Sequence, residues 1–198
     1  MYLALKRVFD FCAASIVLIL FLPIGLCLAF WILSESKGGV FYKQVRVGKN
    51  GEYFTLFKFR SMRKDADQLG KITVGVDNRV TKSGRFIRKY KLDEIPQLLN
   101  IILGDMSVVG PRPEVPEYVV LYSQEQRHVL SVKPGLTDYA SLKYIDEQAI
   151  LGQASDPHKV YIDQIMPEKL ALNLSYINDR SLLVDFKLIF QTIFKIFK

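Results

Sequence analysis

The stretch RKYKLDEIPQLLN, residues 88–100, sets two adjacent carboxylates, Asp93 and Glu94, directly behind Arg88, Lys89 and Lys91 and just ahead of Pro96. Further upstream the basic run includes Arg79, Lys82 and Arg85, and no acid falls between Asp77 and Asp93. A cation about 6 Å from a carboxylate contributes roughly 3 kcal/mol toward ionisation at an effective dielectric near 20, about two pKa units. Asp93 is therefore expected to be a carboxylate, available as a nucleophile or as a Mg²⁺ ligand. Phosphoryl transfer needs this pairing: cations hold the phosphate oxygens, and an anionic oxygen attacks phosphorus or carries a metal. The competing explanation is structural. Leu98, Leu99, Ile101, Ile102 and Leu103 make a short apolar helix that Gly104 can end, with Asp93, Glu94 and Pro96 in its first turn. There an Asp cap is worth about 1 kcal/mol and a first-turn Glu a few tenths.

Downstream, GDMSVVGPRPEVPEY holds Arg112 between two prolines. Each fixes φ near −65°, so the guanidinium fork is presented from a stiff backbone, suited to two-pronged contact with phosphate or a base. An exposed arginine on a Pro-rich turn is the bland alternative. Upstream, GGVFYKQVRVGKNGEYFTLFKFRSM alternates apolar and polar residues around Gly48 and Asn50-Gly51, which predicts a short hairpin. Its second strand, YFTLFKF, puts Lys58 and Arg60 on one face because they are two apart; a merely solvated strand face would do the same. Residues 63–82 are polar and turn-rich and are expected to form a loop or short helix over the surface.

These residues must be carried by one domain of moderate core, since 198 residues contain no repeat and no Gly/Ser linker. The net charge of +7 implies an anionic partner: nucleic acid, a phospholipid surface or a phosphorylated small molecule. Ahead of the domain, Phe11 to Leu33 is 23 residues without a charge. That is too long for the apolar stretch of a signal peptide, and it must meet lipid. A helix of that length reaches about 34 Å and could span. Against a span, Pro23 denies the Ile19 carbonyl its donor, and cations flank both ends, Lys6 and Arg7 before it and Lys37, Lys43, Arg46 and Lys49 after it. A bend at Pro23 would leave two half-length arms, a re-entrant helix-break-helix with both ends cytoplasmic. These residues leave both forms open. Cys12 and Cys27 lie inside this segment as small hydrophobes, which fits a reducing compartment. At the other end, apolar residues from Ser181 to Lys198 recur at helical spacing, which fits either an interfacial helix or one packed on the core. His128 and His158 have no ligand partners nearby in sequence and carry no assigned role.

Taken together, LKRVFDF, the proline-broken apolar segment, LFKFRSM, the block from GRFIRKYKLDEIPQLLN to GDMSVVGPRP, VKPGLT and SLLVDFKLIFQTI resemble the bacterial sugar transferase family. More narrowly, the chain is similar to its small monotopic polyprenyl-phosphate phosphoglycosyl transferases. The resemblance implies an α+β fold, a small helical and short-hairpin catalytic domain (37–198) on a re-entrant membrane segment (1–36), with interfacial amphipathic helices on the cytoplasmic face of a bacterial inner membrane. It implies transfer of a sugar 1-phosphate from a UDP-sugar to a polyprenyl phosphate, usually undecaprenyl phosphate, with release of UMP. Carried to matching positions, Asp93 would be the nucleophile of a phosphosugar-aspartyl intermediate and the Mg²⁺ ligand, and Glu94 a base or an orienting group. Lys58, Arg60, Arg88 and Gln97 would line the phosphate site and Arg112 the uridine end. On a helix, neighbours point about 100° apart, so Asp93 and Glu94 cannot share one proton and suit two roles. In many members a serine precedes the bend proline; here it is Leu22. After PGLT the chain departs again, reading DYASLKYIDEQAILG from Asp138, a region expected to bear on the sugar, so the donor's identity stays open. A nucleic-acid binder is disfavoured because no recognised module is present and no aromatic residues interleave with the basic run. A non-catalytic scaffold would be expected to have lost Asp93 or Glu94.

Overall fold

The computed structural model describes residues 2–64, 66 and 77–196, so most of the polar stretch 63–82 lies outside the described residues. Helix α1 runs from Tyr2 to Glu35 and is continuous through Pro23. The break expected there is not seen: proline removes one hydrogen bond without ending the helix. Ala14 and Leu18 pack with Leu56, Leu98, Ile101 and Met106. Phe21, Leu28 and Ile32 pack with Phe59 and Ile87. The opposite faces stay apolar and outward, with Ile19, Leu20 and Phe30 at least 70 % exposed. By length and composition α1 can cross a membrane.

Polar contacts tie both ends of α1 to the rest of the chain. Near its start, Tyr2 Oη and Lys6 Nζ both donate to Asp185 Oδ2, at 2.9 and 2.7 Å. The Arg7 guanidinium donates to the Ile101 and Ile102 carbonyls, and buried Asp10 accepts from Ser107 Oγ and the Val108 amide at 2.7 and 3.0 Å. At its end, Glu35 accepts from both the amide and the hydroxyl of Ser83 at 2.8 Å.

Strands β1 (Phe41–Val47) and β2 (Tyr53–Phe59) form the expected antiparallel hairpin, in register from Phe41↔Phe59 to Val47↔Tyr53. Its turn uses positive φ at Asn50 (57°) and Gly51 (82°), the conformations that these two residues adopt most readily. Helix α2 (Lys82–Lys89) is capped by Thr81, whose hydroxyl accepts from the Gly84 amide. Helix α3 (Gln97–Leu103) ends at Gly104, φ 97°, and Arg7 takes two of its last carbonyls.

The chain then forms β3 (Ser107–Val109), which pairs in parallel with β4 (Gly135–Thr137). The strands meet so closely that a β-carbon on Gly135 would lie 2.1 Å from the Gly110 nitrogen. Between them lies α4 (Pro116–Val119). After them come α5 (Tyr139–Lys143), α6 (Glu147–Gly152), α7 (Pro157–Val160), a π turn, α8 (Met166–Asp179) and α9 (Leu182–Ile196). Val109, Val115, Leu151, Ile165, Leu170, Tyr176 and Leu188 share one core. Helix α9 has two apolar faces. Leu188 is fully buried in the core, whereas Leu183, Phe190 and Phe194 point outward at 81, 69 and 80 % exposure. The fold is mixed α+β, with two small sheets among the described residues.

Candidate active site

Asp93 and Glu94 sit in a 3-10 turn, Leu92–Glu94, that opens from Lys91 in the left-handed region (φ 54°) and leads into α3. Neither carboxylate caps a helix: no side chain caps this turn or α3. The capping part of the structural explanation is not borne out, although both acids lie in the first turn of the 3-10 segment. Beyond the turn, Asn100 on α3 is fully buried. Its carbonyl accepts from the Phe57 amide at 3.1 Å, and its amide donates to the Thr55 carbonyl at 2.7 Å. Asn100 thereby bolts α3 to β2 and brings Lys58 over the acidic pair.

The two carboxylates have different surroundings. Glu94 is doubly held: both its oxygens accept from the Arg112 guanidinium, and Oε1 lies 3.3 Å from Lys58 Nζ. Arg112 and Lys58 keep its carboxyl well below the usual glutamate range even though burial opposes them. Asp93 is 9 % exposed, and among the described residues no hydrogen bond or ion pair reaches its carboxylate. Burial pushes its carboxyl up; Lys58 pulls it back, and the Glu94 charge adds to the rise.

Burial works against the expectation that the basic run holds Asp93 ionised, although Arg88 and Lys91 of that run still favour the carboxylate. Lys82, Arg85 and Lys89 are exposed on α2. Arg79 binds Asp77, and Lys58 and Arg112 pair with Glu94. Of the basic run, Arg88 and Lys91 are the members that come near Asp93.

Asp93 opens onto a polar cavity of about 330 Å³ whose lining includes Lys58, Arg60, Arg63, Arg79, Arg88 and Lys91. Arg88 Nε donates to Ser61 Oγ at 2.8 Å, which turns its guanidinium into this wall. Arg60 is also in the wall, but its guanidinium donates to the Gly39 and Phe41 carbonyls, at 3.0 and 3.2 Å. Gln97, grouped with these residues from the sequence, is 1 % exposed and lines neither described cavity; its Nε2 has no partner among the described residues.

A second, larger cavity of about 660 Å³ is lined by Glu94 and Arg112 and then mostly by apolar side chains. The two cavities share Gln44, Arg46, Lys91, Glu147 and Gln148. Arg46 is the support that the sequence did not reveal. It donates to the Pro113 carbonyl at 2.9 Å and to Glu114 Oε1 at 3.2 Å, while Gln44 Oε1 accepts from its Nη2. Tyr161 donates to the other Glu114 oxygen, and burial and that carboxylate push its hydroxyl far up, so it remains a donor. From the far side, buried Asp138 accepts from the Arg112 amide at 3.0 Å. The rigid Pro-Arg-Pro segment is thus pinned on both flanks. No local pattern signals these partners, which lie 26 to 68 residues apart in the chain.

Among the described residues, no three His, Cys, Asp or Glu side chains converge as a metal cage. Mg²⁺ does not require one: it is commonly held by one or two carboxylates together with substrate phosphates and water. An unpaired Asp93 facing a basic, phosphate-sized cavity fits that donor set. The arrangement can hold a diphosphate, present a carboxylate to phosphorus and keep Glu94 ionised beside it.

All 198 residues match the family model described as bacterial sugar transferase. The chain is 36% identical over 192 residues to the uncharacterized sugar transferase EpsL of Bacillus subtilis, covering 97% of this chain and 87% of that protein. It is 37% identical to a UDP-N-acetylgalactosamine-undecaprenyl-phosphate N-acetylgalactosaminephosphotransferase of Aeromonas hydrophila, covering 97% of this chain and 43% of that one. To the UDP-glucose:undecaprenyl-phosphate glucose-1-phosphate transferase of Escherichia coli it is 33% identical, covering 96% and 40%. The chain therefore spans less than half the length of these last two relatives.

Proposed function

The chain belongs to the bacterial sugar transferase family, a family of undecaprenyl-phosphate sugar-1-phosphate transferases, and from this premise we propose that it moves a sugar 1-phosphate from a UDP-sugar to undecaprenyl phosphate. The observation that carries the reading is Asp93, a carboxylate without a partner among the described residues that faces a cavity walled by Lys58, Arg88 and Lys91.

In the first half-reaction, an Asp93 oxygen attacks the sugar-bearing phosphorus. The pyrophosphate P–O bond breaks, and UMP leaves with the bridging oxygen. In the second, an oxygen of the lipid phosphate attacks the same phosphorus, and the bond to Asp93 breaks to regenerate the carboxylate. Lys58 and Arg88 hold phosphate oxygens, and Arg112 lies toward the uridine. Glu94 keeps Arg112 and Lys58 in place. Mg²⁺, held by Asp93 and the diphosphate, would neutralise charge on the departing phosphate. The sugar hangs on the phosphate next to Asp93, so Tyr42, Gln44 and Gln148, uncharged polar residues in that cavity's wall, are placed to meet it.

The re-entrant topology belongs to this reading. Both ends of α1 bind the body that carries the site, which supports keeping both ends on the cytoplasmic side, with the site beside the leaflet that holds the lipid phosphate. The decisive experiment is UMP release from a panel of UDP-sugars by membranes containing the chain, with undecaprenyl phosphate and Mg²⁺. Release is expected for at least one sugar, to depend on Mg²⁺, and to fall at least a thousandfold in Asp93→Asn. Turnover close to wild type in that variant would exclude Asp93 as the nucleophile.

A further inference from the structure

Resting on the reading of the donor as a UDP-sugar, we propose that Ser141 and Asn173 recognise its uracil ring inside the larger cavity. The two cavities communicate through Gln44, Arg46, Lys91, Glu147 and Gln148. A ligand with its phosphates beside Asp93 therefore continues into the larger space.

Two polar atoms in that mostly apolar wall have no partner. Asn173 on α8 is 5 % exposed, and its Oδ1 accepts nothing among the described residues; Ser141 Oγ on α5 is likewise buried and unbonded. Buried polar atoms are nearly always satisfied, and leaving one unmade forfeits its hydration without return, so an orphan in a cavity wall points to a ligand group. Its position is informative as well. Asp138 accepts from the Arg112 amide through one oxygen and from the Ser141 amide, at 2.5 Å, through the other. Ser141 is thereby held beside the arginine that also lines this cavity, and α5 packs on α8, which carries Asn173.

Three parts of the substrates could enter this space. A prenyl chain offers no donor and would leave Asn173 Oδ1 orphaned. A sugar carries hydroxyls around its whole ring, most of which would face apolar walls. Uracil has two apolar faces and one polar edge, an N–H flanked by carbonyls. Asn173 Oδ1 accepts from that N–H, and the Ser141 hydroxyl donates to a flanking carbonyl. Cytosine would turn a lone pair toward Asn173 Oδ1 at the same ring position, so the pair also selects the base.

The test uses the full chain in lipid nanodiscs, with affinities for UMP and CMP measured by calorimetry and turnover followed by UMP release. Wild type is expected to bind UMP at least tenfold more tightly than CMP. Ser141→Ala should weaken UMP about three- to tenfold and Asn173→Leu about ten- to a hundredfold, each narrowing the UMP/CMP ratio while the undecaprenyl phosphate KM stays unchanged. Ser141 has no side-chain bond to lose, so its variant decides the matter if Asn173→Leu fails to fold, as judged by melting. Unchanged UMP affinity and ratio overturn the proposal. So does unchanged UMP affinity with altered discrimination among UDP-sugars, which would assign the pair to the sugar, or a change confined to the undecaprenyl phosphate KM, which would assign it to the chain. If wild type turns over a UDP-sugar and the variants keep UMP binding, only this inference fails; if wild type does not bind UMP, the donor reading falls with it.

Discussion

Asp93 and Glu94 are neighbours in sequence with opposite electrostatics, and the difference is testable in both rate and stability. Burial raises the Asp93 carboxyl. A group whose acidic form is favoured by folding contributes stability that is complete below its unfolded pKa and is lost as pH rises through its folded one. At neutral pH an ionised Asp93 is therefore a destabilising charge. Asp93→Asn should raise the melting temperature while removing activity; about 1.4 kcal/mol per pKa unit corresponds to roughly 3–6 °C in a chain of this size. A lower melting point in that variant would mean that the charge is stabilising. In wild type, donor kcat/KM should fall on the acid side through an apparent pKa above the ordinary aspartate value near 3.9. For Glu94 the sign is reversed. Arg112 and Lys58 hold its carboxyl low, so its contribution is present above the unfolded value and lost as pH falls below about 4.5 toward the folded one. About a fifth of the Glu94 side chain and a third of the Arg112 side chain remain accessible, and solvent screens the pair. Glu94→Gln should cost about 1–3 kcal/mol at pH 7 and flatten the acid decline of the melting temperature. An unchanged pH profile of melting would show that the pair does not support the fold.

At the scale of elements, the site depends on contacts between α1 and two short pieces, α3 and β3. Asp10 satisfies Ser107 Oγ and the Val108 amide inside the protein, five residues before Arg112. Asp10→Ala would orphan the Val108 amide, at about 1–3 kcal/mol, and leave the Ser107 hydroxyl only the Val109 carbonyl, and should lower the melting temperature by several degrees. Donor KM should rise with it, because β3 leads directly into the Arg112 segment; Asp10→Asn, which keeps one acceptor, should recover part of both losses. A melting temperature within a degree of wild type in the alanine variant would show that water satisfies those groups equally well. Several elements were legible in the sequence because their signals are local. Asn50-Gly51 named the hairpin turn, Gly104 ended α3, and the spacing in α9 marked a helix. Asp10, Asn100, Asp138 and Asp185 were not legible, since each acts on a residue far along the chain or on the backbone of another element. The same limit hid how strongly burial works against the charge on Asp93. A basic run counted along the sequence says nothing of which cations α2 turns to solvent or which Glu94 captures first.

At the scale of the molecule, the question is how one body meets a bilayer. The outward faces of α1 and α9 are both apolar, and they join where Phe9 meets Phe186 edge-on at 5.0 Å. A straight span by α1 would put its two ends about 51 Å apart on opposite sides of the membrane. Yet Lys6 pairs with Asp185 and Glu35 holds Ser83, so both ends belong to one body that also carries the charged cavity. Pulling one end across the bilayer would strip those partners and carry Lys6 and Arg7 through hydrocarbon, at about 2.5–3.5 kcal/mol per cation on an insertion scale. The expected arrangement therefore keeps both ends of α1 on the same side, with the outer face of α9 in the same interface. In a background of Cys12→Ser and Cys27→Ser, single cysteines at the exposed positions Ala4 and Lys37 should both resist an impermeant thiol reagent added to intact cells and both react once the membrane is opened. Labelling of one position alone in intact cells would establish a spanning helix. The contacts at one end of α1 would then have to break whenever the chain is in a membrane.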